Sequence, residues 1–183
     1  MSGRTSWLQA VLDVVEGGFL NGWQAFVNTF GYYRLVPVCP DVLYRSTEMP
    51  PERMACLCLA QNIRTVIDLR RKHDRAEAER VALKQAGIKH VHLPSPQVPT
   101  EDVVNSFLEI MDDPGNYPVV IHCVHGVGRT GALLAVYSIE YKQLDNEQAR
   151  RLAKRIGGFQ SFGSNRPKGR FLISYVPRRE RAY

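Results

Sequence analysis

Cysteine is scarce in this chain. The four residues Cys39, Cys56, Cys58 and Cys123 lack the density or spacing of a disulfide framework or a zinc site. If Cys123 must stay reduced for chemistry, three remain, which suits a reducing compartment. Long apolar runs are missing as well, and none approaches the roughly 20 residues of a membrane-spanning helix. The stretch Trp7 to Glu16 carries Asp13 and Glu16 in its apolar run, with only Arg4 ahead of it, unlike a secretory leader. A cytoplasmic protein is the expectation. Internal repeats are absent, and 44% hydrophobic with 23% charged residues gives no sign of disorder or of a collagen-like chain. Acidic residues are also in short supply, 18 against 24 basic ones, for a formal charge of +6. That balance favours anionic partners, whether phosphorylated small molecules, phosphoproteins, nucleic acid or an acidic membrane surface, and does not choose among them.

At 183 residues the chain is long enough for one domain with a full core and too short for two ordinary ones. Residues 1–35 form an expected helical arm. Leu8, Val11, Leu12 and Val15, then Phe19, Leu20, Trp23, Phe26, Val27 and Phe30, repeat at helical spacing on either side of Gly17-Gly18. Packing of the arm on the domain is favoured over a membrane-surface contact, because its polar face is not rich in Lys or Arg. Residues 36–183 form the expected main domain. Val42 to Arg45, Thr65 to Leu69, His90 to Leu93 and Val119 to Ile121 read as strands. Helices are expected from Pro51 to about Asn62, from a cap at Asp74 to Gly87, and from a Thr100 cap to the stop at Pro114-Gly115. Two more run from Thr130 to Tyr141 and from a capping box at Asp145 and Gln148 to about Ile156. Residues 171–176 are ambiguous between helix and strand. The alternation implies an α/β fold with a central, mostly parallel sheet of four to five strands and helices on both faces. Ligands of such sheets sit beyond the carboxyl ends of the strands.

The most apolar strand leads directly into His122-Cys123-Val124-His125-Gly126-Val127-Gly128-Arg129-Thr130-Gly131. A loop entering a helix N-terminus offers backbone N–H groups to a phosphate dianion, and the helix dipole adds positive potential. Gly126 and Gly128 permit the tight turn. The phosphate cradle is expected to comprise Val124, His125, Gly126, Val127, Gly128 and Arg129. The same field favours a thiolate at Cys123, the expected nucleophile. Arg129 can grip two phosphate oxygens with its planar fork, and lysine cannot replace that geometry. Thr130 is placed to donate its hydroxyl to the sulfur, and His122 to orient the loop. This chemistry needs no metal and no cofactor, and the histidines His90, His92, His122 and His125 are not read as a metal cluster.

Cys123-x5-Arg129-Thr130 resembles the signature of the protein tyrosine phosphatase superfamily, and the compact size is similar to its dual-specificity branch. Tyr44-Arg45-Ser46 and Val66-Ile67-Asp68-Leu69-Arg70 resemble segments of small bacterial-type members, so the likeness covers about residues 40–155. It implies a cysteine-dependent phosphatase fold over 36–183 and hydrolysis of phosphomonoesters through a phosphocysteine, with a phosphoprotein as the first expected substrate. The family normally places an aspartate general acid on the loop after the third strand, where this chain has Ser95. A serine hydroxyl is a poor proton donor near neutral pH. Asp102 is the first substitute, with Glu101 and His125 behind it.

The departure at Ser95 keeps other readings open. The Cys-x-His-Gly pattern also resembles RNA 5′-triphosphatases, and RNA ranks below phosphoprotein as a partner. Arg70, Arg71, Lys72 and Arg75 suggest an anionic-substrate rim for inositol phosphates or phosphoinositides. A phosphate-binding pseudophosphatase is the reading from another class. Gln160 is a candidate for positioning the hydrolytic water by analogy with the family, and Cys56 and Cys58 read as packing residues. Oligomeric state is not legible.

Overall fold

A five-stranded mixed sheet organises the molecule, in the order β1-β2-β5-β3-β4. The computed structural model describes residues 35–157 and 161–181, so the expected arm, apart from Leu35, and Gln160 lie outside the described residues. Leu35–Tyr183 makes a compact unit of its own. The strands are β1 (Val36–Cys39), β2 (Leu43–Ser46), β3 (Thr65–Asp68), β4 (Lys89–His92) and β5 (Val119–His122). The helices are α1 (Pro51–Ala60), α2 (His73–Gln85), α3 (Glu101–Asp112), α4 (Arg129–Lys142), α5 (Asn146–Gly157) and α6 (Pro167–Ile173).

Strands β2 to β5 are parallel, and β1 alone runs antiparallel, along β2. β1 was not expected from the sequence. Pro37 and Pro40 break its pattern, yet proline is tolerated on an edge strand, where a ladder N–H is not needed. The register aligns Ser46 with His122, His122 with Asp68, and Asp68 with His92. All four parallel strands therefore end level, on the rim where ligands of open α/β sheets bind.

Side-chain alternation divides the core in two. Leu43, Ile67, Val119 and Ile121 join a buried cluster with Phe107 and Met111 of α3, Leu133 and Val136 of α4, Ala149 of α5 and Leu172 of α6. Val66 and Val120, pointing to the other face, are equally buried, as are Met54 and Cys58 of α1 and Ala76 and Leu83 of α2. Burying each large apolar side chain contributes roughly 1.5–3 kcal/mol. α4 is buried at ten successive positions, Thr130 to Ile139, as expected for a central helix.

The helix caps explain where elements begin. Thr100 Oγ1 accepts from Val103 N–H at 3.4 Å and starts α3. Asp145 and Gln148 close a reciprocal box, with Gln148 N–H donating to Asp145 Oδ1 at 2.8 Å and Asp145 N–H to Gln148 Oε1 at 3.2 Å. Asp74 does not cap α2 as expected. That helix starts two residues earlier with Lys72 at its N-cap, and Asp74 lies in the first turn, where a carboxylate still complements the dipole. Gly87, at φ +74°, ends the turn after α2. Residues 171–173 complete α6, which resolves the ambiguity there as helix. Among the described residues no helix is long and apolar enough to cross a membrane.

Candidate active site

The loop 123–128 leaves β5 at the sheet rim and becomes α4. Gly131 N–H donates to Val127 C=O at 3.1 Å and Ala132 N–H to Gly128 C=O at 3.2 Å, so the helical ladder starts within the loop. Gly126 has φ +64°, and a Cβ there would meet Ser46 O at 2.3 Å. Only glycine satisfies both the left-handed turn and this approach. The loop is thus braced by β2. Arg45 Nη1 donates to Gly126 C=O at 3.2 Å, and Glu48 N–H donates to Val124 C=O at 3.0 Å.

Cys123 lies at the base of the loop and is 4% exposed, whereas Val124 and His125 face solvent. Burial pushes the thiol pKa up, but the Thr130 hydroxyl and the backbone N–H groups of Thr130, Gly126 and His125 prevail and bring it below the ordinary thiol value. Thr130 Oγ1 is buried and makes no conventional hydrogen bond to a protein group, so its hydroxyl contributes through the neighbouring sulfur. Arg129 Nε is likewise buried without a protein partner. A buried guanidinium N–H in this state is ready for an anion.

Behind the loop lies a buried charge cluster. Arg70 meets Asp68 with two bonds of 2.8 and 2.9 Å, approaches Glu79 at 3.1 Å and reaches Glu48 at 2.8 Å. His122 Nε2 is 2.8 Å from Glu79 Oε1, and His90 Nε2 lies 3.5 Å from the same oxygen. Burial would raise both carboxyls. His90 and Arg70 around Asp68, and His122, His90 and Arg70 around Glu79, instead hold them well below the carboxylate range, Glu79 at about 2. His122 is therefore anchored through Glu79, which supports its expected orienting role. Glu79 escaped the sequence reading. Its signal is an acid in line with Ala76 and Leu83 on the buried face of α2.

The cluster corrects the expected anionic rim. Arg70 is 3% exposed and consumed by the two buried carboxylates, and Arg75 pairs with Glu48 at 2.9 Å. Arg71, Lys72 and Arg75 are the exposed charges of that group, and of these Arg75 is engaged by Glu48. Asp68, Glu79 and His122 bring potential metal ligands within 4.8 Å of one another. The Arg70 guanidinium already supplies the countercharge between the two carboxylates, so the group does not fit a divalent cation.

Glu79→Gln is expected to destabilise the fold by about 3 kcal/mol at pH 7, because it removes one partner from a buried ionic cluster. Glu79 is held at about 2 in the fold against an ordinary 4.5, so its contribution is present above pH 4.5 and is lost as pH falls through about 2. Urea denaturation of both proteins should show a gap that narrows between those two pH values.

Ser95 is fully buried, and its hydroxyl donates to Pro96 C=O at 2.9 Å, so its proton is already engaged within the loop. Asp102 is exposed in the first turn of α3. Among the described contacts none joins it to the loop. Lys168 is closer and was missed by sequence reading. A Cβ on Gly128 would lie 3.0 Å from Lys168 Nζ and 3.6 Å from Gln97 Oε1. Burial lowers the Lys168 pKa, the Cys123 thiolate opposes that effect and Arg129 reinforces it, so this ammonium senses both reacting charges. No local pattern marks Lys168, since α6 is brought to the loop only by tertiary packing.

A family model described as "Polymorphic toxin system, DSP-PTPase phosphatase" matches residues 43–143. The dual specificity protein phosphatase TpbA of Pseudomonas aeruginosa strain UCBPP-PA14 is 30% identical over 172 residues, covering 84% of this chain and 74% of TpbA. Among solved structures, a DUF442 protein of Shewanella putrefaciens CN-32 superposes with a TM-score of 0.61 at 25% identity, covering 80% of this chain and 93% of that one. P. aeruginosa TpbA in complex with phosphotyrosine superposes at 0.60 with 22% identity, covering 78% and 83%, a likeness of fold. The family match opens on β2, which braces the phosphate loop, and closes just past α4, which the loop begins. The chain belongs to the DSP-PTPase phosphatase family, and it is a phosphatase of the dual-specificity type.

Proposed function

We propose that residues 36–183 form a catalytic domain that hydrolyses phosphomonoesters of phosphoproteins, with Cys123 as nucleophile. The observation that carries this reading is a buried thiol of depressed pKa beneath converging N–H groups and beside a guanidinium N–H that has no protein partner. The phosphate sits in the cradle of Val124, His125, Gly126, Val127, Gly128 and Arg129. Cys123 Sγ attacks phosphorus, the P–O bond to the substrate breaks, and the leaving oxygen departs with a proton. Water then attacks the phosphocysteine, inorganic phosphate leaves, and the sulfur returns as a thiolate stabilised by Thr130. Arg129 and the loop N–H groups hold the equatorial oxygens throughout, so catalysis is mainly positioning and charge stabilisation. Phosphate ions and esters bind without metal or cofactor in this scheme. The four cysteines are free thiols, which supports a reducing, cytoplasmic setting.

Asp102 is the carboxyl assigned to protonate the leaving oxygen, since the Ser95 proton is already engaged within its loop. Asp102→Asn is expected to lower alkyl phosphate hydrolysis by about 10²-fold and to spare aryl phosphates with good leaving groups. Steady-state rates on p-nitrophenyl phosphate and phosphoserine peptide provide the comparison. Equal losses on both substrates, or none on either, would remove Asp102 from the mechanism.

A further inference from the structure

We infer that His90 is a positioning residue for the attack of Cys123: as an imidazolium wedged between the Asp68 and Glu79 carboxylates, it completes the charge of the buried cluster behind the phosphate loop and so keeps the Cys123 thiol ready to ionise. This rests on the nucleophile proposed above and adds to it a residue of β4, which is separated from β5 by β3.

The cluster lies out of water. Asp68, Glu79 and His122 are fully buried, and the side chains of Arg70 and His90 are 4% and 3% exposed. Asp68 and Glu79 bring two negative charges and Arg70 one positive charge, so the interior is one positive charge short when both histidines are neutral. Glu48 does not alter that balance, because Arg75 answers it towards solvent at 2.9 Å. A buried charge without a counterion is strongly unfavourable, and a proton on one imidazole removes it.

The contacts of the two rings place that proton on His90. Glu79 is ionised and can only accept, so His122 Nε2–H donates to its Oε1 at 2.8 Å. His122 Nδ1 is buried with no hydrogen-bond partner, and a proton there would be an orphaned donor. His90 Nε2 lies instead between the two negative charges, 3.5 Å from Glu79 Oε1 and 3.8 Å from Asp68 Oδ2. Burial lowers the His90 pKa, but the two carboxylates outweigh burial and raise it above the ordinary 6.5. The other charged groups near the ring lie on its outer side. Glu77 of α2 is held by Arg80 at 2.6 Å, and His92 Nε2–H donates to Arg70 C=O at 2.7 Å. With His73 and Asp74 these residues share with His90 the wall of a groove of about 420 Å³, through which the ring can exchange its proton with water.

His122 ends β5 and is bonded through the main chain to Cys123, so Glu79 reaches the reactive loop through one residue. An excess negative charge in the cluster would oppose a thiolate there. With His90 protonated the cluster is neutral, and the loop N–H groups that favour the thiolate act without that opposition.

Thiol ionisation in the full chain is measured from the pH dependence of Cys123 alkylation by iodoacetamide, read by mass spectrometry of the peptide that carries it. His90→Gln is expected to move the ionisation of Cys123 upward by about one pH unit, and the acid limb of kcat/KM on p-nitrophenyl phosphate with it, since one negative charge is left uncompensated. The double variant His90→Gln, Glu79→Gln removes that charge and keeps an acceptor for His122, so its thiol is expected to ionise as in the wild type. A purely structural role for His90 gives the opposite order, with the double variant the more disturbed. Nitrogen chemical shifts of the wild-type histidine rings, which need no variant to fold, are expected to show His90 as an imidazolium at pH 7. The proposal is overturned by a neutral His90 ring at pH 7, by wild-type thiol ionisation in His90→Gln, or by a double variant that stays as shifted as the single one. If the wild-type chain hydrolyses no phosphomonoester, the phosphatase reading of the site fails separately, and alkylation and ring shifts still decide the role of His90.

Discussion

Cys123→Ser is expected to lower phosphatase turnover by about 10⁴-fold or more, the loss typical of removing an enzyme's nucleophile. Serine preserves the size of the side chain and the hydrogen bonds of the loop. What it loses is ionisation, because the N–H groups of Thr130, Gly126 and His125 that bring the thiol below its ordinary value act on a hydroxyl whose starting point is far higher. The variant should therefore still bind phosphate and vanadate, the mimic of a pentacoordinate phosphoryl group. Steady-state hydrolysis of p-nitrophenyl phosphate together with binding calorimetry separates the two effects. A serine protein with wild-type turnover would sink the phosphocysteine mechanism outright.

Arg129→Lys is the second large effect, with an expected loss of about 10³-fold in kcat/KM. The substitution keeps a positive charge at the first residue of α4 and so leaves the helix start and the loop ladder in place. It removes the planar fork and with it the buried Nε donor that has no protein partner. Vanadate affinity should fall along with turnover, because the missing contacts are those to equatorial oxygens. If lysine retained activity within a few-fold, the backbone N–H groups would suffice to bind the phosphoryl group, and the role given to the guanidinium fork would fall.

Glu79 and Arg70 show why the two halves of the site differed in legibility. The phosphate loop is contiguous, and its chemistry demands cysteine, glycine and arginine at fixed spacing between a strand and a helix. Reading 122–131 from sequence therefore located the thiol, the arginine and Thr130, and the strand and helix boundaries around them agree to within two residues. The supporting cluster is assembled from β3, the loop after it, α2, β4 and β5, and charge on a string does not reveal depth. Arg70 looked like a member of a surface run because Arg71 and Lys72 follow it, whereas the strand register carries it to the rim beside two buried acids. Lys168 lies on a short helix that opens with Pro167, with an ordinary surface composition, and only the packing of Phe162 and Gly169 directs it to the loop. β1 went unread for a local reason, since its prolines are acceptable only at an edge that sequence alone does not identify.

The contact between Gly126 and the end of β2 limits how this enzyme's selectivity can change. A loop that cannot spread without lifting off Ser46 has a fixed diameter, sized once for a tetrahedral oxyanion and indifferent to what the oxyanion is attached to. Preference among esters must therefore be written in the outer wall, in the segment 94–99 and in α6, whose Gln97 and Lys168 border the socket at Gly128. Grafting that wall between members of the family should move substrate choice while the inner chemistry stays the same.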